Sequence, residues 1–243
     1  MDLIYLALLT FVASLIGTVT GFGISTLMIP ILVIFLPPVE TIFFVAIIHW
    51  FGDLWKVLLF GQGFHWKLII LFGLIGLAAS YVGAAVSLGT DHLLLLRILG
   101  VFLVVDAVFM IYKPRLEVRA DNSHALLGGA LSGFFAGMFG MGGPIRSAFL
   151  SLFALPKAVH LATIGAIGLM VDSTRIITYW RGGVVLPETL WWALLVLIPA
   201  SFLGAELAKG IVDQIPQKKF RLVIAVFLLL IGLKLLFWPS ILD

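Results

Sequence analysis

The sequence contains no cysteine and little charge. None of its 243 residues is cysteine, which excludes disulfide bonds, thiol nucleophiles and cysteine metal sites. Charged residues make up 11% of the chain, against 62% hydrophobic residues. A soluble domain cannot hide so much apolar surface, because its exterior requires more polar residues. The formal net charge of +3 indicates no nucleic-acid binding, since the basic residues mostly flank apolar segments.

Apolar segments long enough to cross a bilayer recur along the chain. About 20 apolar residues span the hydrocarbon core as a helix, and residues 66–88 contain a single charged residue, at their edge. Turn and charge clusters separate such segments: residues 2–36, 40–60, 66–88, 93–112, 125–155, 158–180, 190–209 and 220–238. The sequence therefore predicts an all-α polytopic membrane protein, and we expect it in the cytoplasmic (inner) membrane.

Two of these segments are interrupted by paired glycines. The stretch GFGISTLMIP begins at Gly21, and GMGGPIRSAF begins at Gly140. Glycine weakens a helix interior, so each motif predicts a broken helix or a re-entrant pair of half-helices. Pro144 suits the first turn of a restarted helix, where its missing N–H costs nothing. The exposed N–H groups and the dipole of such a half-helix favour anions.

The two halves of the chain also match as an internal repeat. At an offset of 119 residues, Asp53 matches Asp172 and Lys56 matches Arg175. The offset also pairs several glycines and prolines: Gly21 with Gly140, Gly23 with Gly142, Pro37 with Pro156 and Gly63 with Gly182. These matches predict a first transmembrane repeat at residues 1–112, a polar linker at 113–124 and a second repeat at 125–243. Repeats of this kind are characteristic of transporters.

The distribution of lysine and arginine predicts an orientation. If each broken segment changes no side, nine flanking basic residues fall on one side and three on the other. If each crosses once, the count is six against six. The positive-inside rule favours the first arrangement. It places linker 113–124 in the cytoplasm and both termini outside, and it makes the two repeats inverted relative to each other.

Three basic residues, Lys56, Arg146 and Arg175, lie inside apolar segments. An intramembrane charge costs at least roughly 2.5 kcal/mol at a helix centre, so it persists when it is paired or lines a pathway. Asp53 and Lys56 are three residues apart and share a helix face, as do Asp172 and Arg175. Each pair is either a structural ion pair or the polar wall of a substrate path. Arg175 is the better suited to hold an oxyanion bidentately.

Arg146 is the strongest single candidate for a binding residue. It has no carboxylate within four residues, and its repeat counterpart is Leu27. The alternative is that its side chain snorkels to the membrane interface. Backbone and hydroxyl groups at the two breaks would complete an anion site. These groups belong to the following residues: Gly21, Gly23 and Ser25 in the first copy, and Gly140, Gly142 and Gly143 in the second.

Two histidines and a third carboxylate are further candidates. His49 lies one turn before Asp53, and with Asp53 and Asp172 it would orient the basic residues or carry protons. His160 and Asp106 either relay protons or are hydrogen-bonded packing residues. Two histidines in unmatched positions do not make a metal site. The sequence therefore predicts neither a metal nor a cofactor.

The repeated motifs resemble those of the sulfite exporter TauE/SafE family. They comprise GxG at Gly21, a proline at Pro30, LPP at Leu36 and SYVGA at Ser80, with a more typical second copy, GALSGFFAGMFGMGGPIR, from Gly129. The resemblance covers nearly the whole chain. The family usually has GxGGG, and this chain departs from it at three positions: Ile24, Ser25 and Pro144.

The resemblance implies a membrane transporter of a small sulfur-containing anion such as sulfite, a sulfonate or sulfoacetate. No ATP-binding loop is present, so protons, sodium or the substrate's own gradient would supply the energy. An anion channel is one alternative. An intramembrane enzyme is another, in which Ser25 or Ser147 would pair with His49 or His160, but no spacing connects them. We therefore expect a non-enzymatic protein that contacts the lipid bilayer and a small anion.

Overall fold

The described part of the chain folds into helices. A computed structural model describes residues 2–61, 63–112, 120–212 and 217–239. Its helices are α1 (Leu3–Thr20), α2 (Ser25–Leu32), α3 (Pro38–Phe60), α4 (Trp66–Leu88), α5 (His92–Tyr112), α6 (Asn122–Phe139), α7 (Gly143–Ser151), α8 (Lys157–Arg181), α9 (Glu188–Ile211) and α10 (Gln217–Phe237). Within these ranges, six helices are long and apolar enough to cross a membrane: α1, α3, α4, α5, α8 and α9. The predicted all-α polytopic membrane fold is confirmed.

The predicted linker overlaps the start of α6. Residues 113–119 of the linker lie outside the described residues, whereas α6 begins at Asn122. It begins there because Asp121 caps it, accepting hydrogen bonds from the backbone N–H groups of Ser123 and His124 at 3.0 and 3.2 Å. The Ser123 hydroxyl and His124 also hold the pKa of the Asp121 carboxyl well below its usual range.

Both predicted helix breaks are present. Helix α1 ends at Gly21, with φ of 76°, and α6 ends at Gly140, with φ of 74°. This left-handed conformation suits glycine and terminates a helix. The chain resumes as α2 and α7, and Pro144 lies in the first turn of α7, as predicted.

Each broken segment forms a hairpin whose second helix packs back against the first. In the first hairpin, Thr10 Oγ1 of α1 lies 3.7 Å from Met28 Sδ of α2, and Leu6 and Leu36 line the same cavity. In the second, a Cβ placed on Gly128 of α6 would lie 2.7 Å from the side chain of Phe149 in α7. That neither hairpin changes the side of the membrane remains a prediction.

The long helices pack in pairs around the two hairpins. Helix α1 packs against α9, where Ser14 Oγ donates to the Ser201 carbonyl at 2.5 Å. Helix α6 packs against α4 so closely that a Cβ on Gly129 would lie 2.5 Å from the Phe72 carbonyl oxygen. Helix α3 packs against α8, and α5 against α10. In each of these pairs a helix of the first half packs against a helix of the second half, as a two-fold relation between the halves would require. The division into residues 1–112 and 125–243 remains a prediction.

The bundle is apolar outside and charged inside. Leu74 and Leu195 are 57% and 65% exposed, whereas Asp53, Arg146 and Arg175 are at most 1% exposed. Lipid covers such an apolar exterior at no cost, but buried charges require partners. The location of those charges therefore identifies the candidate site.

Candidate functional site

Six titratable or charged side chains meet inside the bundle, and we call them the central cluster. They are His49, Asp53 and Lys56 of α3, Arg146 of α7, and Asp172 and Arg175 of α8. None is more than 3% exposed. The sequence predicts each of these six as a site residue, and the fold brings them together from three helices.

Each helical pair with i,i+3 spacing forms an ion pair. Lys56 Nζ donates to Asp53 Oδ1 at 2.7 Å. Arg175 Nε donates to Asp172 Oδ1 at 2.9 Å. Because the contacts are local, the spacing alone is sufficient to predict them.

The second oxygen of each carboxylate faces a group from another helix or turn. His49 Nδ1 lies 2.5 Å from Asp172 Oδ2 and 3.6 Å from Asp53 Oδ2. Arg146 Nη1 lies 3.7 Å from Asp53 Oδ2. The cluster is therefore one connected network that joins α3, α7 and α8.

Arg146 has no carboxylate nearby in the sequence, but the fold supplies one. Its partner, Asp53, lies far away in the sequence, in the other half of the chain, so no local pattern indicates it. The alternative of snorkelling is wrong, because Arg146 is 1% exposed. Its role in binding a substrate remains a prediction.

Gly168 of α8 makes room for this contact. A Cβ on Gly168 would overlap Asp53 Oδ2 and would lie 2.6 Å from Arg146 Nη1. At the repeat offset, Gly168 is the counterpart of His49. The second half thus has a glycine where the first has an imidazole, and Arg146 lies against that glycine. In the sequence, the repeat offset of 119 residues points to Gly168. The importance of this glycine, however, follows only from its contact with Asp53 and Arg146.

The central cluster holds an excess of positive charge. Lys56, Arg146 and Arg175 are cationic and Asp53 and Asp172 anionic, so three positive against two negative side chains leave a formal charge of +1 when His49 is neutral. An uncompensated buried charge is costly. A bound anion would remove that cost.

The same region contains buried hydrogen-bond donors without a protein partner. Among the described side chains these include Arg146 Nε, Arg175 Nη2 and the hydroxyls of Ser25 and Ser132. A buried donor without a partner costs about 1–3 kcal/mol. Ser132, on α6, is a residue that the sequence did not single out. These donors are of the kind that hold an oxyanion.

The tips of the two hairpins reach the cluster. The Gly23 backbone lies against His49 Nε2, and a Cβ on Gly140 would lie 2.7 Å from Arg175 Nη1. The tips also touch each other, because Gly143 packs on the Phe22 carbonyl. Helices α2 and α7 both begin here, and their first N–H groups have no acceptor within the helix.

The other predicted glycines pack between elements. Gly21 faces Ser147, whose Oγ would lie 3.2 Å from an added Cβ, and Gly142 packs on the Ser132 carbonyl. Among the predicted backbone residues, Gly23 and Gly140 therefore contact the central cluster, whereas Gly21, Gly142 and Gly143 shape the hairpin tips.

A cavity of about 140 Å³ lies beside α7, away from the central cluster. Its lining includes Asp106, Ser147, Lys157 and His160. Arg146 lies in the cluster and the next residue, Ser147, lines the cavity, so α7 separates the two. Asp106 and His160 thus belong to the cavity and not to the cluster.

Three metal-ligand atoms of the cluster lie close together. The His49, Asp53 and Asp172 atoms are within 4.8 Å of one another. However, Lys56, Arg146 and Arg175 contact the same two carboxylates. A cation would therefore meet three positive charges, and we assign this trio to the ion-pair network.

Replacing Gly23 by alanine should damage the site more than the same change at Gly183. Both glycines have positive φ, 88° and 81°, so alanine costs about 1–2 kcal/mol at either. Only at Gly23 would the new Cβ overlap another side chain, the His49 ring, while at Gly183 nothing lies within 4 Å. We expect the melting temperature of Gly23→Ala to fall at least twice as far. Equal decreases would contradict the close contact with His49.

Comparison with known proteins supports a transport role. The family model described as "Sulfite exporter TauE/SafE" matches residues 6–235. A probable membrane transporter protein of Methanocaldococcus jannaschii is 26% identical over 95% of this chain and 94% of its own length. Another, from Sinorhizobium fredii, is 28% identical over 70% of this chain and 71% of its own.

A third probable membrane transporter protein, from Bacillus subtilis, is 28% identical over 43% of this chain and 38% of its own length. No solved structure is significantly similar to the chain. The family match covers nearly all of the helices in the described ranges, including both hairpins and all six cluster residues. The chain therefore belongs to the sulfite exporter TauE/SafE family of membrane transporters.

Proposed function

We propose that the protein is a secondary transporter of a small anion and that the anion binds at the central cluster. The observation that carries this proposal is the buried excess of one positive charge, next to arginine and serine donors that have no partner. An anion would supply both the missing charge and the missing acceptors.

The proposed substrate is a sulfur oxyanion of the sulfite, sulfonate or sulfoacetate type. The family description names sulfite export, and guanidinium groups match the geometry of oxyanions. Arg146 and Arg175 would contact the anion through Nε and Nη2, the atoms that lack partners. Lys56 would hold Asp53 in place, since it already donates to that carboxylate.

The proposed transport cycle is alternating access. The site lies where hairpins from the two ends of the bundle touch, at Phe22 and Gly143, and movement of one half against the other would open it to either side in turn. The cavity beside α7 would be the entrance from the end at which the linker lies. We place linker 113–124 in the cytoplasm and both termini outside, in the inner membrane.

The proposed coupling ion is the proton, carried by His49, with sodium as the alternative. His49 Nδ1 lies between two carboxylates, and histidine changes charge near neutral pH. The enzyme alternative is weaker for Ser25 and His49: His49 pairs with Asp172, and Ser25 Oγ has no hydrogen-bond partner. These two residues therefore form no nucleophile and base pair.

Reconstitution in liposomes tests the proposed function. We expect a saturable electrical or flux response to at least one of sulfite, sulfoacetate and taurine, with acetate as a comparison, and the response should depend on a pH or sodium gradient. Uncoupled flux far faster than a carrier allows would indicate a channel. Absence of any response from folded protein would contradict transport of these anions.

Single cysteines can test the proposed entrance, because the chain has none of its own. Ser147 lines the cavity, whereas Ser80 is fully buried, donates to the Val171 carbonyl and is not among the lining residues. A membrane-impermeant maleimide should label Ser147→Cys in inside-out vesicles and not in right-side-out vesicles. Ser80→Cys, the matched control, should remain unlabelled in both. Labelling of Ser147→Cys only from the opposite side would contradict the orientation.

A further inference from the structure

We infer that the central cluster matches the number of bound protons to the charge of the anion: a divalent oxyanion binds with one proton more than a monovalent one, and His49 takes that proton. This inference rests on the proposed function, since it concerns the anion site at the cluster.

The charge balance of the cluster is the first step. With His49 neutral its formal charge is +1, so a monovalent anion brings the buried region to neutrality. A divalent anion would leave it at −1. In a site from which water is excluded, an unbalanced charge is costly. Uptake of one proton restores neutrality with the divalent anion bound.

His49 is the side chain suited to take that proton. It is the cluster residue whose ordinary pKa lies near neutral pH. The charged groups around it are Asp53 and Lys56 on its own helix, Asp172 and Arg175 on α8, and Arg146 on α7. The two carboxylates directly contact its ring, at 2.5 and 3.6 Å from Nδ1. They would stabilise an imidazolium when an anion offsets the three cations.

The position of the second ring nitrogen links the proton to the anion. A carboxylate only accepts, so the neutral ring carries its hydrogen on Nδ1, toward Asp172. The added proton would therefore go to Nε2. That atom is buried, has no hydrogen-bond partner and lies against Gly23 at the hairpin tip. Protonation thus adds a donor near the first turn of α2, on the side where the anion would bind.

Two anions of similar size and fixed charge provide the test. Isethionate carries one negative charge near neutral pH and sulfoacetate carries two. Calorimetric titration of the full-length protein in detergent, in buffers with different ionisation enthalpies, counts the protons taken up. We expect one more proton with sulfoacetate than with isethionate. Where free His49 is neutral, sulfoacetate affinity should fall about tenfold per pH unit relative to that of isethionate.

Two variants separate this role from a structural one. In His49→Asn the difference in proton uptake should disappear, and sulfoacetate should lose more affinity than isethionate. Asp53→Asn raises the cluster charge by one, so it should bind sulfoacetate with about one proton fewer than the wild type does. A structural role for His49 would lower both affinities equally and leave the difference in proton number unchanged.

The possible failures are distinguishable. Equal proton uptake with the two anions, both bound by the wild type, would overturn this inference and leave the anion site intact. Binding of neither anion, nor of sulfite or sulfate, by folded protein would overturn the proposed site and the inference with it. If one anion of the pair binds, sulfate provides a divalent and methanesulfonate a monovalent substitute.

Discussion

Arg146→Met is expected to weaken oxyanion binding by about 30-fold or more. The change removes one of the three buried cations, which reduces the cluster's formal charge from +1 to zero, and it deletes the unpartnered Nε donor. Loss of one partner of a buried charged contact costs about 2–5 kcal/mol, and 1.4 kcal/mol is tenfold in Kd. Isothermal titration with sulfoacetate or sulfite measures the effect.

The variant should still fold, which makes the result interpretable. Asp53 retains Lys56 at 2.7 Å, whereas Arg146 lies 3.7 Å from it. The matched control is Arg97→Met, because Arg97 is exposed on α5, and its affinity should equal that of the wild type. Unchanged affinity in folded Arg146→Met would remove Arg146 from the binding site.

Asp53→Asn is expected to destabilise the anion-free protein strongly. Asp53 is fully buried and contacts Lys56, Arg146 and His49. Removal of one partner from a buried ionic network costs about 3–5 kcal/mol, because the remaining charges are uncompensated. The melting temperature in detergent should therefore fall by several degrees.

Anions should partly restore the stability of Asp53→Asn, since the central cluster of this variant has a formal charge of +2 rather than +1. The increase in melting temperature on adding sulfate should exceed that of the wild type at equal ionic strength. Asp91→Asn is the control: Asp91 is exposed and caps α5 through the N–H groups of Leu93 and Leu94. Asparagine caps a helix about as well as aspartate, so the melting temperature of this variant should stay near that of the wild type and its response to sulfate should equal that of the wild type. An unchanged melting temperature in Asp53→Asn would contradict the network.

Features that depend on local spacing were predictable from the sequence. The i,i+3 ion pairs follow from helix geometry, and the left-handed glycines Gly21 and Gly140 end their helices where the motifs indicate. The bounds of α4, Trp66–Leu88, are those of the apolar segment, because a membrane-spanning helix has the length of its apolar stretch.

Contacts between distant residues could not be derived in this way. The Arg146–Asp53 contact and the His49–Asp172 hydrogen bond join residues of opposite halves. They depend on how α3, α7 and α8 cross, which hydrophobic periodicity does not specify. Gly168 shows the same limit: the repeat offset pairs it with His49, but its importance follows only from its contact with Asp53 and Arg146.

The most direct test of the anion site is to locate a bound anion. Selenite is the selenium counterpart of sulfite, and crystals grown with it permit an anomalous difference map at the selenium edge. We expect a peak between the guanidinium groups of Arg146 and Arg175, beside the first turns of α2 and α7. A peak confined to the cavity at Lys157 and His160, or no peak from protein that binds selenite in solution, would contradict the assignment of the central cluster as the substrate site.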